Sequence, residues 1–341
     1  MKQNYLTSLL IIPLLLAGIP LCSAEEQSPS AKNTVVRAAI DIGSGATKLR
    51  VAEVDLSKKY IVNTLASKGF KVSYQESLMQ AEDGNFHPEV MSEGLSAIRE
   101  AVAIAQQHGA EKITAVATEA FRKAANAQQF IDEIHRQTGV KIEVIDQEKE
   151  GTLAFHAVRS EVGVPAEQLL VWDIGGGSLQ LTMQDHRDDY KIYRGHDAST
   201  PFKNFVIEKL QGRKVEHFNT PNPLSTHEMT QAERHARQLA RKVDRHFKDK
   251  VSHPKTVVVG VGNIFGYGIS TLGEDPREIT QAELKVAVAK LADKSDHELG
   301  GGDFADVFVT NALLVLGFMQ ELDIDRMLLT NVNAADASLF W

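Results

Sequence analysis

A single cysteine, Cys22, occurs among 341 residues, and it lies in an N-terminal segment that reads as a removable leader. The chain left after cleavage has no thiol. Disulfides, thiol catalysis and thiolate metal sites are excluded together. The 12 histidines show no paired ligand spacing, and no His-Glu-x-x-His occurs. An excess of basic charge is also missing. The formal net charge is −8, about −9 once Lys2 is lost. Such a surface argues against nucleic acid as the main partner, and leaves open a small polyanion held by a metal and backbone amides. There is no low-complexity tract, no coiled coil and no long uninterrupted apolar run. Leu9 to Leu21 is short for a membrane span and is broken by Pro13 and Pro20.

In the first 24 residues Lys2 is the only charge, the apolar stretch comes next, and Cys22-Ser23-Ala24 ends on a small residue before Glu25-Glu26. That order is the order of a secretory signal cleaved after Ala24, the other reading being an uncleaved anchor. A lipid anchor on Cys22 is disfavoured by Pro20 and Leu21. The expectation is a periplasmic or secreted protein with no stable membrane association after signal cleavage. Residues 25–34 read as a flexible lead-in. The mature chain, roughly 317 residues, exceeds one typical core and suits two domains. The expected division is 35–158 and 159–341, with the last residues able to pack back on the first domain. A homodimer is compatible with this reading.

Two glycine turns dominate the rest of the chain. Asp41-Ile42-Gly43-Ser44-Gly45 and Asp173-Ile174-Gly175-Gly176-Gly177-Ser178 each come after a β-like run. Glycine lets the backbone bend sharply and turn N–H groups toward an anion. An aspartate at the strand end can give a hard oxygen to the Mg²⁺ that accompanies phosphates. The spacing predicts strands at 35–41, 48–55, 59–66, 112–118 and 140–146, with helices at 88–108 and 126–137. A helical link is expected at 148–160. The order then restarts with strands at 168–173, 178–184, 189–194 and 255–261, helices at 201–211, 230–250, 280–293 and 303–322, and a last strand at 326–329. This is an α/β layer pattern given twice.

The candidate residues each carry two readings. Asp41 and Asp173 either share a Mg²⁺ in one cleft or cap tight turns. Glu150, after the strand at 140–146, either activates water or is an acidic residue favoured by a helix's first turn. Arg122 either clamps phosphate oxygens or is a solvated helix arginine. Gly260 and Gly262 either add a third backbone contact to ligand or form a plain turn. The basic run Arg234 to Lys250 reads as an amphipathic helix.

Together these residues resemble the Ppx/GppA family of exopolyphosphatases and guanosine pentaphosphate phosphatases, within the actin, hexokinase and heat-shock ATPase superfamily. Ala39 to Ser44 looks like the family's first phosphate loop. Ala117 to Asn126 resembles its Thr-x-Ala-x-Arg-x-Ala-x-Asn segment. Ile142 to Glu150 is similar to its strand and Glu-Glu-Ala segment. Asp173 to Ser178 looks like the second phosphate loop. Departures are visible. Gly45-Ala46 replace Asn-Ser, Gln180 replaces a glutamate, Gly260-Val261-Gly262-Asn263-Ile264 stands for Gly-x-Ser-Gly-Thr, and the C-terminal signature is eroded to Thr330–Ala337 with its arginine lost.

The resemblance implies two ribonuclease-H-like (actin-like ATPase) domains with an interdomain cleft. It implies Mg²⁺-dependent hydrolysis of phosphoanhydrides in inorganic polyphosphate or nucleoside polyphosphates. Asp41 and Asp173 would then hold the metal. Gly43, Ser44, Gly45, Arg122, Gly175, Gly176, Gly177, Ser178, Gly260 and Gly262 would hold phosphate. Glu150 would be the base, aided by Gln180, since secreted apyrases place a glutamine after a similar turn to hold water. The rivals are such an apyrase, a binding protein that holds phosphate compounds without cleaving them, and, less favoured, a kinase of the same superfamily.

Overall fold

The first strand shows how the chain divides its apolar residues. Ala38, Ile40 and Ile42 fall on one face and enter one core, while Ala39 falls on the other and enters a second. This is the period-two alternation of a strand buried on both faces. The same split recurs about 130 residues later. Leu170, Trp172 and Ile174 enter an outer core, and Leu169 and Val171 enter the core that Ala39 shares. The computed structural model describes residues 34–185 and 189–341, all within one compact unit. The expected leader, and all of the expected lead-in except Thr34, lie outside the described residues.

Sheet one is built from β1 (Thr34–Ile42), β2 (Ala46–Asp55), β3 (Tyr60–Lys71), β4 (Lys112–Ala117) and β5 (Ile142–Val144), in the order β3-β2-β1-β4-β5. Sheet two holds β6 (Leu169–Ile174), β7 (Leu179–Gln184), β8 (Tyr190–Gly195), β9 (Val257–Val261), β10 (Glu278–Thr280) and β11 (Arg326–Leu329), in the order β10-β11-β9-β6-β7-β8. In each, an antiparallel hairpin leads into two parallel strands. The halves therefore repeat one topology, with β10 added at the edge of the second. This is the mixed α/β, two-lobed architecture expected.

Three differences from the expected elements have physical causes. The run expected as one helix over 230–250 is two helices, Thr226–Ala240 and Arg245–Val251, with Ser225 and Asp244 at their starts. The break lets Leu239, Val243 and Phe247 all enter the outer core of the second lobe. Helix Tyr74–Gln80 was not expected. It is short, and Tyr74 is fixed by packing against Phe86 and Phe121. A helical turn over Ala334–Phe340 was also not expected. Its Ala335 and Leu339 complete the middle core with Ala39, Val116, Val171 and Val259. Among the described residues no helix is long and apolar enough to cross a membrane.

Candidate active site

Strand alternation places the two aspartates. The parity that sends Ala39 and Val171 into the middle layer also sends Asp41 and Asp173 inward, at the strand ends where the layer opens into a cleft of about 660 Å³. Both line it. From the first turn Gly43, Ser44 and Gly45 also line it, and from the second Gly175, Gly176, Gly177 and Ser178. Glu150 lines it too.

The turns are built alike. Gly43 N–H donates to the Ala46 carbonyl at 2.9 Å, and Gly175 N–H to the Ser178 carbonyl at 2.8 Å. The carbonyls of each turn accept from the start of a helix. Ser44 accepts from Gln75 N–H, and Gly175 and Gly176 accept from the N–H groups of Ser199 and Thr200. Among the described residues the N–H groups of Ser44, Gly45, Gly176 and Gly177 make no hydrogen bond. The turns also abut. A Cβ on Gly176 would lie 2.8 Å from Gly45 N, and one on Gly177 would lie 2.8 Å from Gln75 Oε1 and 3.0 Å from Ser44 Oγ. Bare backbone is required there because the lobes meet at that point.

Glu150 is set by the helix Gln147–Val162. Asp146 caps it by accepting from Lys149 N–H, which fixes Glu150 in the first turn. Gly151 lets the helix approach β7, since a Cβ would lie 2.6 Å from Thr182 Oγ1. Arg122 Nη1 donates to Glu150 Oε2 at 3.0 Å and to the Ile145 carbonyl at 2.6 Å, while its Nε and Nη2 donate to Glu119 Oε2. Desolvation pushes the Glu150 carboxyl up to about 8, against the pull of Arg122 and with the push of Asp173 and Asp41. Desolvation also raises Asp173, to about 6, against the pull of Lys48.

Sequence reasoning missed Lys48. Its Nζ lies 3.2 Å from Asp41 Oδ2, and Asp41 and Asp173 hold its ammonium above the usual value against the cost of burial. The signal was present in the duplication. Lys48 pairs with Asp41 across β1 and β2 as Gln180 pairs with Asp173 across β6 and β7. The altered C-terminal segment also reaches the cleft. Asn331 and Asn333 line it, and Arg50 Nε lies 3.0 Å from Asp336 Oδ2. Arg50 Nη2 donates to Asn331 Oδ1, whose amide in turn donates to the Tyr267 hydroxyl at 2.7 Å.

Several expected residues stand elsewhere. Arg122 is not among the residues lining the cleft; its guanidinium donates to Glu119, Glu150 and the Ile145 carbonyl. Gln180 is buried behind the second turn, donating to Ser178 Oγ at 3.3 Å. Gly260 is a packing glycine, since a Cβ would lie 2.4 Å from the Phe265 ring. Gly262 is not on the lining either. Its φ of +84° needs glycine, and it backs Asp173 and Lys48.

The model of the Ppx/GppA phosphatase family matches residues 50–335. The chain belongs to this family. Exopolyphosphatase 1 of Mycobacterium tuberculosis is 38% identical over 88 residues, 26% of this chain and 26% of that protein. A bifunctional 3-dehydroquinate synthase/phosphatase of Fusobacterium nucleatum is 31% identical over 159 residues, 45% of this chain and 23% of that protein. The matched stretch thus spans about a quarter of these curated relatives. The crystal structure of the Aquifex aeolicus Ppx/GppA family member superposes with a TM-score of 0.65 at 20% identity, covering 90% of this chain and 97% of that one. An exopolyphosphatase from Cytophaga hutchinsonii gives 0.68 at 17% identity, covering 89% and 96%. At those identities the structures speak for the fold, the two-lobed actin-like ATPase fold of the Ppx/GppA family.

Proposed function

We propose that the protein hydrolyses terminal phosphoanhydride bonds of polyphosphates, and that it is exported by the leader at residues 1–24. The observation that carries the reading is the abutment of two matching glycine turns, with unpaired amides at the cleft that also holds Glu150. Phosphoryl transfer needs positioning and charge stabilisation more than covalent help from the protein. The amides of Ser44, Gly45, Gly176 and Gly177 hold phosphate oxygens. Arg122 fixes Oε2 of Glu150, so Oε1 is the atom left to orient the attacking water and accept its proton. A carboxyl displaced to about 8 is matched to that task near neutral pH.

A hard divalent cation fits the donors present. Asp173 lines the cleft, and its carboxylate makes no hydrogen bond among the described residues. Among the described residues no group of three or more His, Cys, Asp or Glu side chains could hold an ion by itself. Mg²⁺ is commonly held in this way, by one or two carboxylates together with substrate phosphates. When bound, the cation neutralises charge on the phosphate oxygens.

Tyr267 favours substrates that carry a planar base. It lines the cleft, is 54% exposed, and is fixed by Asn331. Inorganic polyphosphate offers such a ring nothing to stack on, whereas a nucleobase does. The buried place of Gln180 gives the apyrase-like use of that residue no support.

The deciding test is phosphate release by the purified protein with Mg²⁺, and with chelator added, over inorganic polyphosphate, ATP, GTP and guanosine polyphosphates. Release abolished by the chelator supports the proposal. Tight binding without release overturns it in favour of a receptor.

A further inference from the structure

The duplication gives the two aspartates unlike partners. Position 180, opposite Asp173, carries a neutral amide, and position 48, opposite Asp41, carries an ammonium. That ammonium is not at the surface. Its side chain is 19% exposed and its Nζ is 3.2 Å from Asp41 Oδ2. Gly262 shows how near Asp173 is to the same group: the Cβ it lacks would lie 3.6 Å from Asp173 Oδ1 and 3.9 Å from Lys48 Nζ. The positive charge beside Asp41 therefore also acts on Asp173. Asp41 has a partner in Lys48, while the Asp173 carboxylate has no hydrogen bond among the described residues. A divalent ion sharing both carboxylates would have to displace the ammonium or sit against it.

We propose that Lys48 is a tethered counter-ion that withholds Asp41 from the cation, so that the divalent ion is taken by Asp173 and the substrate's own phosphate oxygens. The protein alone then binds the cation poorly. Polyphosphate and cation bind together, each creating part of the other's site. Lys48 also keeps the cleft from being doubly negative before the polyanion arrives. The inference rests on the reading of Asp173 as the cation's protein ligand.

The test measures protein-bound Mn²⁺ directly, as the metal retained with the protein on ultrafiltration over a protein-free control of the same Mn²⁺ and imidodiphosphate content, with no turnover involved. It uses the protein alone and with imidodiphosphate, whose P–N–P bridge replaces the anhydride oxygen. For the unaltered protein, weak binding is expected alone and strong binding with imidodiphosphate. Lys48→Met should tighten Mn²⁺ binding to the protein alone by about tenfold or more, and Asp41→Asn added to it should remove the gain. Lys48→Arg should stay weak. Lys48→Gln, which copies the arrangement at Gln180, is the second neutralising variant should Lys48→Met lose its circular dichroism spectrum. The inference is overturned if the neutralised variants bind Mn²⁺ no more tightly than the unaltered protein while all bind it with imidodiphosphate. Absence of Mn²⁺ binding in every state, imidodiphosphate included, instead removes the cation reading itself.

Discussion

Arg122 reaches two carboxylates with one guanidinium, lying 3.0 Å from Glu150 Oε2 and 2.7 Å from Glu119 Oε2. Glu119 and Glu150 are both buried. Above about pH 8, where Glu150 is ionised as well, removing the arginine would leave two carboxylates of like charge without their shared partner. Arg122→Gln should cost about 3 kcal/mol in a denaturant titration. Because Arg122 pulls the Glu150 carboxyl down, its loss should also move the rising, acid-side limb of the activity profile to higher pH. A change in stability with an unmoved limb would reduce Arg122 to a structural role.

Glu150→Gln keeps the shape of the side chain and removes the proton acceptor. Turnover should fall by about 10² or more, with little change in substrate affinity. Isothermal titration with a non-hydrolysable analogue and single-turnover kinetics separate the two. Unchanged turnover would take Glu150 out of the mechanism.

The raised carboxyls make activity and stability run oppositely with pH. Desolvation holds Glu150 at about 8 and Asp173 at about 6, so the folded state binds these protons more tightly than the unfolded chain. Their stabilisation is complete below the ordinary carboxyl range and is lost as pH rises through about 6 and then about 8. A base at Glu150 works only when deprotonated, so kcat/KM should rise through about pH 8 while this part of the stability fades. Melting temperatures of the parent and Glu150→Gln at about pH 5 and about pH 9 isolate the effect. The drop between the two should be smaller in the variant.

Gly176→Ala tests the contact between the turns. Its methyl would lie 2.8 Å from Gly45 N, closer than real Cβ atoms come. Either the lobes part or the turn shifts. A loss of about 1–3 kcal/mol is expected, with a larger loss in affinity for imidodiphosphate. Gly84→Ala is a poor control because φ is +69° there, so Ala46→Gly, at the start of β2 next to the facing turn, is the better comparison.

Tyr267→Ala should weaken nucleoside polyphosphates and leave tripolyphosphate nearly unchanged. A stacking contribution of about 1–3 kcal/mol per base corresponds to roughly 5- to 150-fold in KM. Equal effects on both substrates would show that the ring does not meet a base.

Much of the fold was legible because strand alternation and glycine turns are local signals. Ala39 and Asp41 share parity, and so do Val171 and Asp173. The inward direction of both aspartates could therefore be read from the chain once the strands were placed. What escaped was tertiary. Helix Tyr74–Gln80 is too short to stand on propensity and is held by aromatic neighbours. Arg122 showed its helix position but not its partners at residues 145 and 150. Gly260 matched a ligand-loop pattern, although its real neighbour is the ring of Phe265. Lys48 looked like any polar residue on an alternating strand, and only the repeat of Asp173 with Gln180 marks it out.

The turn at Ala334–Phe340 has a bearing on how the molecule is made. It carries Ala335 and Leu339 into the layer under β1, and its Asp336 meets Arg50 of β2. Strands β1 and β2 of the first lobe thus take part of their apolar cover, and the carboxylate that neutralises Arg50, from a segment far along the chain, beyond the strands of the second lobe. A cut just after Thr330 should therefore loosen the first lobe as well as the second.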